Sequence, residues 1–170
     1  TLDTVDLAGT VGITGNASWT DVTVTGTTTI PGRSTVSALS GLTVDGVLAL
    51  AGGDFNANLS VFGGQTVDGM GEIFFSPQNS GAGSGTNVLF LGAGAGSEPV
   101  ALGPELTLRA GTGQIRAVAS DPATIEGQIV VEADGALDIL RSLTLGDDAS
   151  FVFRLDDPDT FGVATANSTL

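Results

Sequence analysis

A chain of 170 residues with 41% hydrophobic content and a mean hydropathy of +0.33 is long enough for one domain with a sizeable core, which excludes a disordered polymer. Nineteen acids against five basic residues, all of them arginine, give a net charge of −14, which argues against nucleic acid and anionic membrane as partners. With no His, Cys, Lys or Tyr, the chain has no means to form a Ser-His-Asp triad, a thiol nucleophile, a Schiff base, a histidine metal site or a disulfide.

In chain order, residues 1 to 30 are threonine-rich and alternate with aliphatics, most densely in Val22-Thr23-Val24-Thr25-Gly26-Thr27-Thr28-Thr29-Ile30. Period-two alternation is the strand signal, because successive side chains on a strand point to opposite faces. Thr23, Thr25, Thr27 and Thr29 are a possible hydroxyl array for ice or glycan, but the array does not recur cleanly downstream and ordinary β-propensity accounts for it. Pro31-Gly32-Arg33-Ser34 is a turn.

Residues 41 to 76 read as two regular strand groups. A register with Val44, Leu48 and Leu50 inward leaves Val47, Met70 and Phe74 outward, an apolar strip that is either a contact surface or covered by the loop that follows. Ser76 to Gly85 has linker chemistry, and Gly92 to Pro99 is a second soft stretch. Irregular loops are therefore expected near 76–87 and 92–104 within a single domain over 1–170. From Leu106 to Phe153 short alternating runs return, including Ile125-Glu126-Gly127-Gln128-Ile129 and Leu137-Asp138-Ile139. Ala164 to Leu170 parallels Val24 to Ile30, so the segment stops in mid-phrase and, beginning at Thr1, reads as a mature or excised piece of a longer chain.

A repeated phrase turns these strands into an architecture. Glycine followed four residues later by Ile or Leu occurs as Gly9/Ile13, Gly26/Ile30, Gly46/Leu50, Gly69/Ile73, Gly111/Ile115 and Gly135/Ile139. The steps are 17, 20, 23, 42 and 24 residues, a period near 22 once Gly92 divides the long one. Thr43-Val44-Asp45-Gly46 returns as Thr66-Val67-Asp68-Gly69, and Gly69-Met70-Gly71-Glu72-Ile73 as Gly111-Thr112-Gly113-Gln114-Ile115. Repeats of this length predict a parallel β-helix of seven to eight coils, with glycine at the corners. Leu50, Ile73, Ile115 and Ile139 are then expected to stack as one inward ladder at about 4.8 Å per coil.

The phrases Leu42-Thr43-Val44-Asp45-Gly46, Val67 to Ile73 and Ala133-Asp134-Gly135-Ala136-Leu137-Asp138-Ile139 resemble the coils of secreted bacterial surface proteins of the filamentous-haemagglutinin and autotransporter-passenger groups. The resemblance implies an all-β, right-handed parallel β-helix and an extracellular or bacterial cell-surface location.

Only carboxylate chemistry remains for catalysis. A glycosidase needs two carboxyls roughly 5 to 9.5 Å apart across a sugar, whereas adjacent acids such as Asp147 and Asp148 diverge if they lie on a strand. One Trp and no Tyr leave no aromatic platform for a sugar, so no enzyme activity is expected. Asp156, Asp157 and Asp159 form the candidate metal site, a weak calcium site without EF-hand spacing. Asn16, Asn58 and Asn167 head glycosylation sequons. The composition therefore predicts a structural or adhesive module, with a carbohydrate-active or glycan-binding domain as the alternative. Expected partners are other copies joined end to end, or continuation in a longer parent chain, with a cell-surface glycan possible. No apolar run approaches membrane-spanning length, so membrane insertion is not expected.

Overall fold

The computed structural model describes residues 1–78, 85–93, 98–117, 123–141 and 143–154, and the backbone of 163–167. Among them every regular element is a β-strand and every strand pairing is parallel. This follows from composition, since Val, Ile, Thr and Phe alternate with small polar residues in short runs that suit a pleated, half-buried surface.

The strands lie in three columns that the chain visits in a constant order. One column runs through Thr10–Gly12, Thr27–Pro31, Val47–Ala51, Glu72–Phe75, the first part of Thr107–Ala117, the first part of Gln128–Leu140, and Ser150–Phe153. A second contains the first halves of Asn16–Val24 and Ser34–Val44, then Ala57–Phe62, Asn87–Ala93, the ends of Thr107–Ala117 and Gln128–Leu140, and Val163–Asn167. The third holds Leu2–Leu7, the second halves of Asn16–Val24 and Ser34–Val44, and Thr66–Val67, Ala101–Leu102, Ala123–Ile125 and Leu143–Leu145. Four long strands, Asn16–Val24, Ser34–Val44, Thr107–Ala117 and Gln128–Leu140, bend through a corner and belong to two columns each, so the main sheet curls into a nearly closed, barrel-like form.

Inward residues stack in register across each column. Leu48, Ile73, Leu108 and Ile129 form one ladder, Ile30, Leu50, Phe75, Ala110 and Val131 a second, and Val36, Leu59, Leu89, Ile115 and Ile139 a third; all are buried. The expected single ladder of Leu50, Ile73, Ile115 and Ile139 is thereby corrected. All four point inward, but Ile73 pairs with Leu48 and Leu108, Leu50 with Ile30 and Phe75, and Ile115 with Leu89 and Ile139. The Gly-x-Gly-x-Ile phrase at Gly69 thus leads into the first column and its counterpart at Gly111 into the second. The Thr-Val-Asp-Gly repeat is also out of register, because Thr43 bridges to Asp68 rather than to Thr66.

One corner is built by close approach. A Cβ on Gly26 would lie 2.1 Å from the Gly9 oxygen, one on Gly46 2.1 Å from the Gly26 oxygen, and one on Gly71 2.2 Å from the Gly46 oxygen. Those carbonyls accept from the strand that follows in the next turn, at 2.6 Å from Thr27 N, 2.8 Å from Val47 N and 2.9 Å from Glu72 N, so the chain has no room to move outward.

Among the described residues three buried positions are polar, Thr28, Ser34 and Asn87. Asn87 precedes Leu89 on its strand and is fully buried, with its Oδ1 accepting from the Gly52 N–H at 2.8 Å while its Nδ2 donates to the oxygens of Ser76 at 2.8 Å and Thr112 at 3.0 Å. The side chain thus ties three successive turns together at the corner from which the 76–87 segment departs. Residues 79–84 and 94–97, inside the two expected irregular loops, lie outside the described residues.

Candidate functional site

The outward faces carry the side chains that could do chemistry. On the first column Phe74 and Arg109 are register partners, and the Arg109 guanidinium lies 3.9 Å from the Phe74 ring centre. From there it forks onto Glu72, with Nη2 to Oε1 at 2.6 Å and Nε to Oε2 at 2.9 Å, and reaches Glu132 at 3.4 Å. Glu132 in turn meets Arg154 at 3.6 Å. The hydrogen bond to Glu72 holds the Arg109 proton above the ordinary arginine range, against a smaller opposing effect of burial. Both carboxylates engage the cation, so this cluster is a structural brace rather than an anion or sugar site.

Phe74 is thus shielded by an arginine one turn away. The same device recurs, with Arg33 3.6 Å above Phe55 and Arg116, the register partner of Phe90, 5.7 Å from its ring. Three of the five arginines that look scattered in the sequence, Arg33, Arg109 and Arg116, thus each lie over an aromatic. Met70 stays bare, 73% exposed.

Among the described residues no three acids converge on a metal-sized site. Asp147 and Asp148 are exposed on a turn rather than on a strand. Asp156, Asp157 and Asp159, the sequence candidates for calcium, lie outside the described residues. The threonine array is divided by the corner at Gly26: Thr23 pairs with Asp6 and Thr43 on the third column, while Thr27 and Thr29 face outward on the first and Thr28 is buried. A shallow open groove lies beside Gln65, Thr66, Glu98, Ala101 and Thr124, where a single carboxylate faces hydroxyl and amide groups. Among the described residues its lining holds no second acid for a glycosidase pair.

The two end turns are the remaining feature. At one end Leu2–Leu7 and Thr10–Gly12 have a pairing partner on one side only, and Leu2, Val5, Val11 and Ile13 pack half-buried against the core. At the other, Leu145, Phe151 and Phe153 continue the ladders of Ile125, Ile129 and Val131, yet Leu145 is 51% and Phe153 47% exposed. Apolar side chains in core register thus meet solvent at both ends. The sequence does not single out these residues, because only the register shows that they extend buried ladders.

Comparison with known proteins matches no family model, no curated protein and no solved structure. Among the described residues no helix is long and apolar enough to cross a membrane.

Proposed function

We propose that the chain is a right-handed parallel β-helix of seven turns serving as a non-catalytic structural or adhesive module, a subunit of an extracellular fibre, stalk or matrix filament at a bacterial cell surface. The observation that supports it is the constant order of the three columns, in which each ladder adds one member per turn and the core is continuous along its length. The right hand follows from the strong preference of parallel crossovers for that sense. A rod of this kind distributes its stability along an axis and presents long flat faces, which suits spacing and contact rather than turnover. Polysaccharide panels provide the test. Incubation with acidic and neutral polymers should release no new reducing ends or unsaturated products, and protease treatment of intact producing cells should remove the protein; measurable turnover, or full protection from protease, would defeat the proposal. A glycan-binding role is the second reading, carried by the polar groove at Gln65, Thr66, Glu98 and Thr124.

A further inference from the structure

We infer that the groove at the corner between the second and third columns is a site for an amino sugar, with its ammonium on Glu98 and its ring over Ala101. This rests on the glycan-binding reading above and names the ligand class. The groove measures about 480 Å³, within the range of ligand pockets, and every residue lining it is among those described.

Glycine seats its carboxylate. A Cβ on Gly63 would lie 2.4 Å from the Glu98 backbone oxygen, and one on Gly64 2.6 Å from Glu98 Oε2, so only a corner without side chains leaves Glu98 room to lie against it. The Gly64 N–H donates to the Pro99 oxygen at 3.2 Å and the Ala101 N–H to the Gln65 oxygen at 3.1 Å, which fixes the segment from Glu98 to Ala101 along the groove. The Gln65 side chain holds the corner itself, its Nε2 donating to the oxygens of Ala38 and Phe62 at 3.0 Å each. Register shapes the floor. Thr66, Ala101 and Thr124 are partners on three successive strands, and because Val67, Leu102 and Ile125 beside them are buried, these three face outward. Ala101 is the small member, so it opens a recess between two hydroxyl-bearing residues two strand spacings, about 10 Å, apart. A pyranose over Ala101 can hydrogen-bond Thr66 from one edge and Thr124 from the other.

Charge chooses among sugars. Glu98 is the single formal charge in the lining and the chain as a whole carries −14, so the local and the long-range field both favour a cation and disfavour an acidic sugar. An amine on the ring supplies the charge that a neutral hexose lacks, and the ring supplies the hydroxyls that a lysine side chain lacks.

Two-dimensional amide NMR of the protein with a β-1,4-linked glucosamine tetrasaccharide, at about pH 6 where a sugar amine is protonated, tests this. Saturable shifts should cluster at Gln65, Thr66, Ala101 and Thr124. Glu98→Gln should weaken binding by about three- to fivefold, the size of an exposed ion pair, and Thr124→Val by a similar factor. Ala101→Leu fills the recess and should abolish the shifts; if it lowers the circular dichroism melt, Ala101→Val replaces it. Asp54→Asn, which removes an exposed acid from the corner between the first and second columns, should change nothing. Equal losses from Glu98→Gln and Asp54→Asn would mean diffuse attraction of a polycation and overturn the site. Equal affinity for the N-acetylated tetrasaccharide overturns the cationic class while leaving the glycan-binding reading intact. Equal affinity for tetralysine, lost in the same variants, overturns the sugar in favour of a basic peptide. No shift at the groove with either sugar defeats the glycan-binding reading itself.

Discussion

Replacing Asn87 by alanine removes three hydrogen bonds at one stroke and deprives the buried Gly52 N–H and the part-buried oxygens of Ser76 and Thr112 of their side-chain partner. A buried backbone group deprived of its partner costs about 1–3 kcal/mol. Taking the Gly52 N–H as fully orphaned and the two oxygens as partly compensated, the expected loss is about 3–5 kcal/mol, a large share of the roughly 5–15 kcal/mol that holds a domain together. For a chain of this length that lowers the melting temperature by about 10 °C. Asn87→Leu is expected to fare no better, because it restores volume but not the bonds. Asn87→Asp should be worst at neutral pH, where a buried carboxylate would face two carbonyl oxygens. Burial disfavours that charge and raises its folded-state pKa, so the variant is most stable when the group is protonated. Its deficit should therefore shrink as pH falls toward about 4 and grow as pH rises. Thermal denaturation followed by circular dichroism at several pH values reads all three. A melting temperature for Asn87→Ala within two or so degrees of the parent would refute the bracket.

Glycine substitutions separate close approach from conformation. Gly46→Ala, whose Cβ would meet the Gly26 oxygen at 2.1 Å, should cost several kcal/mol, whereas Gly53→Ala, at φ +58 with open space around it, should cost about 1 kcal/mol in urea titration; equal losses would contradict the packed corner. Thr4 is β-branched with φ 50, so Thr4→Gly should stabilise by about 1 kcal/mol, and a loss of stability would mean that its side chain holds the first turn. Arg109→Gln bares Phe74 and breaks the fork to Glu72, which at this degree of exposure should cost about 1 kcal/mol. Because the arginine pKa is raised, its contribution is complete below the ordinary arginine range and is lost only beyond it, so that cost should be the same at pH 7 and pH 10 in chemical denaturation; a deficit that changes between them would show that the cation is not what carries it.

Much of this protein is local information. Period-two alternation assigns Val44, Leu48, Leu50, Ile73, Ile115 and Ile139 to an interior because side-chain direction along a strand depends only on the backbone next to it, and all six are buried. Composition likewise settles an all-β chain with a large apolar core. Register was beyond the sequence. Three corners per turn each favour a small residue, so a Gly-x-x-x-Ile phrase marks a corner without saying which one, and Gly69 and Gly111 open different columns. Between Val61 and Asp68 the chain also carries two more residues than between Ala38 and Thr43, which shifts the pairing of every residue that follows. Asn87 looks like any polar residue opening a strand, since its three partners come from Gly52, Ser76 and Thr112. The pairing of Arg33, Arg109 and Arg116 with Phe55, Phe74 and Phe90 depends on the same stacking, because contacts between turns are decided by how many residues each corner takes up. No local preference encodes that number.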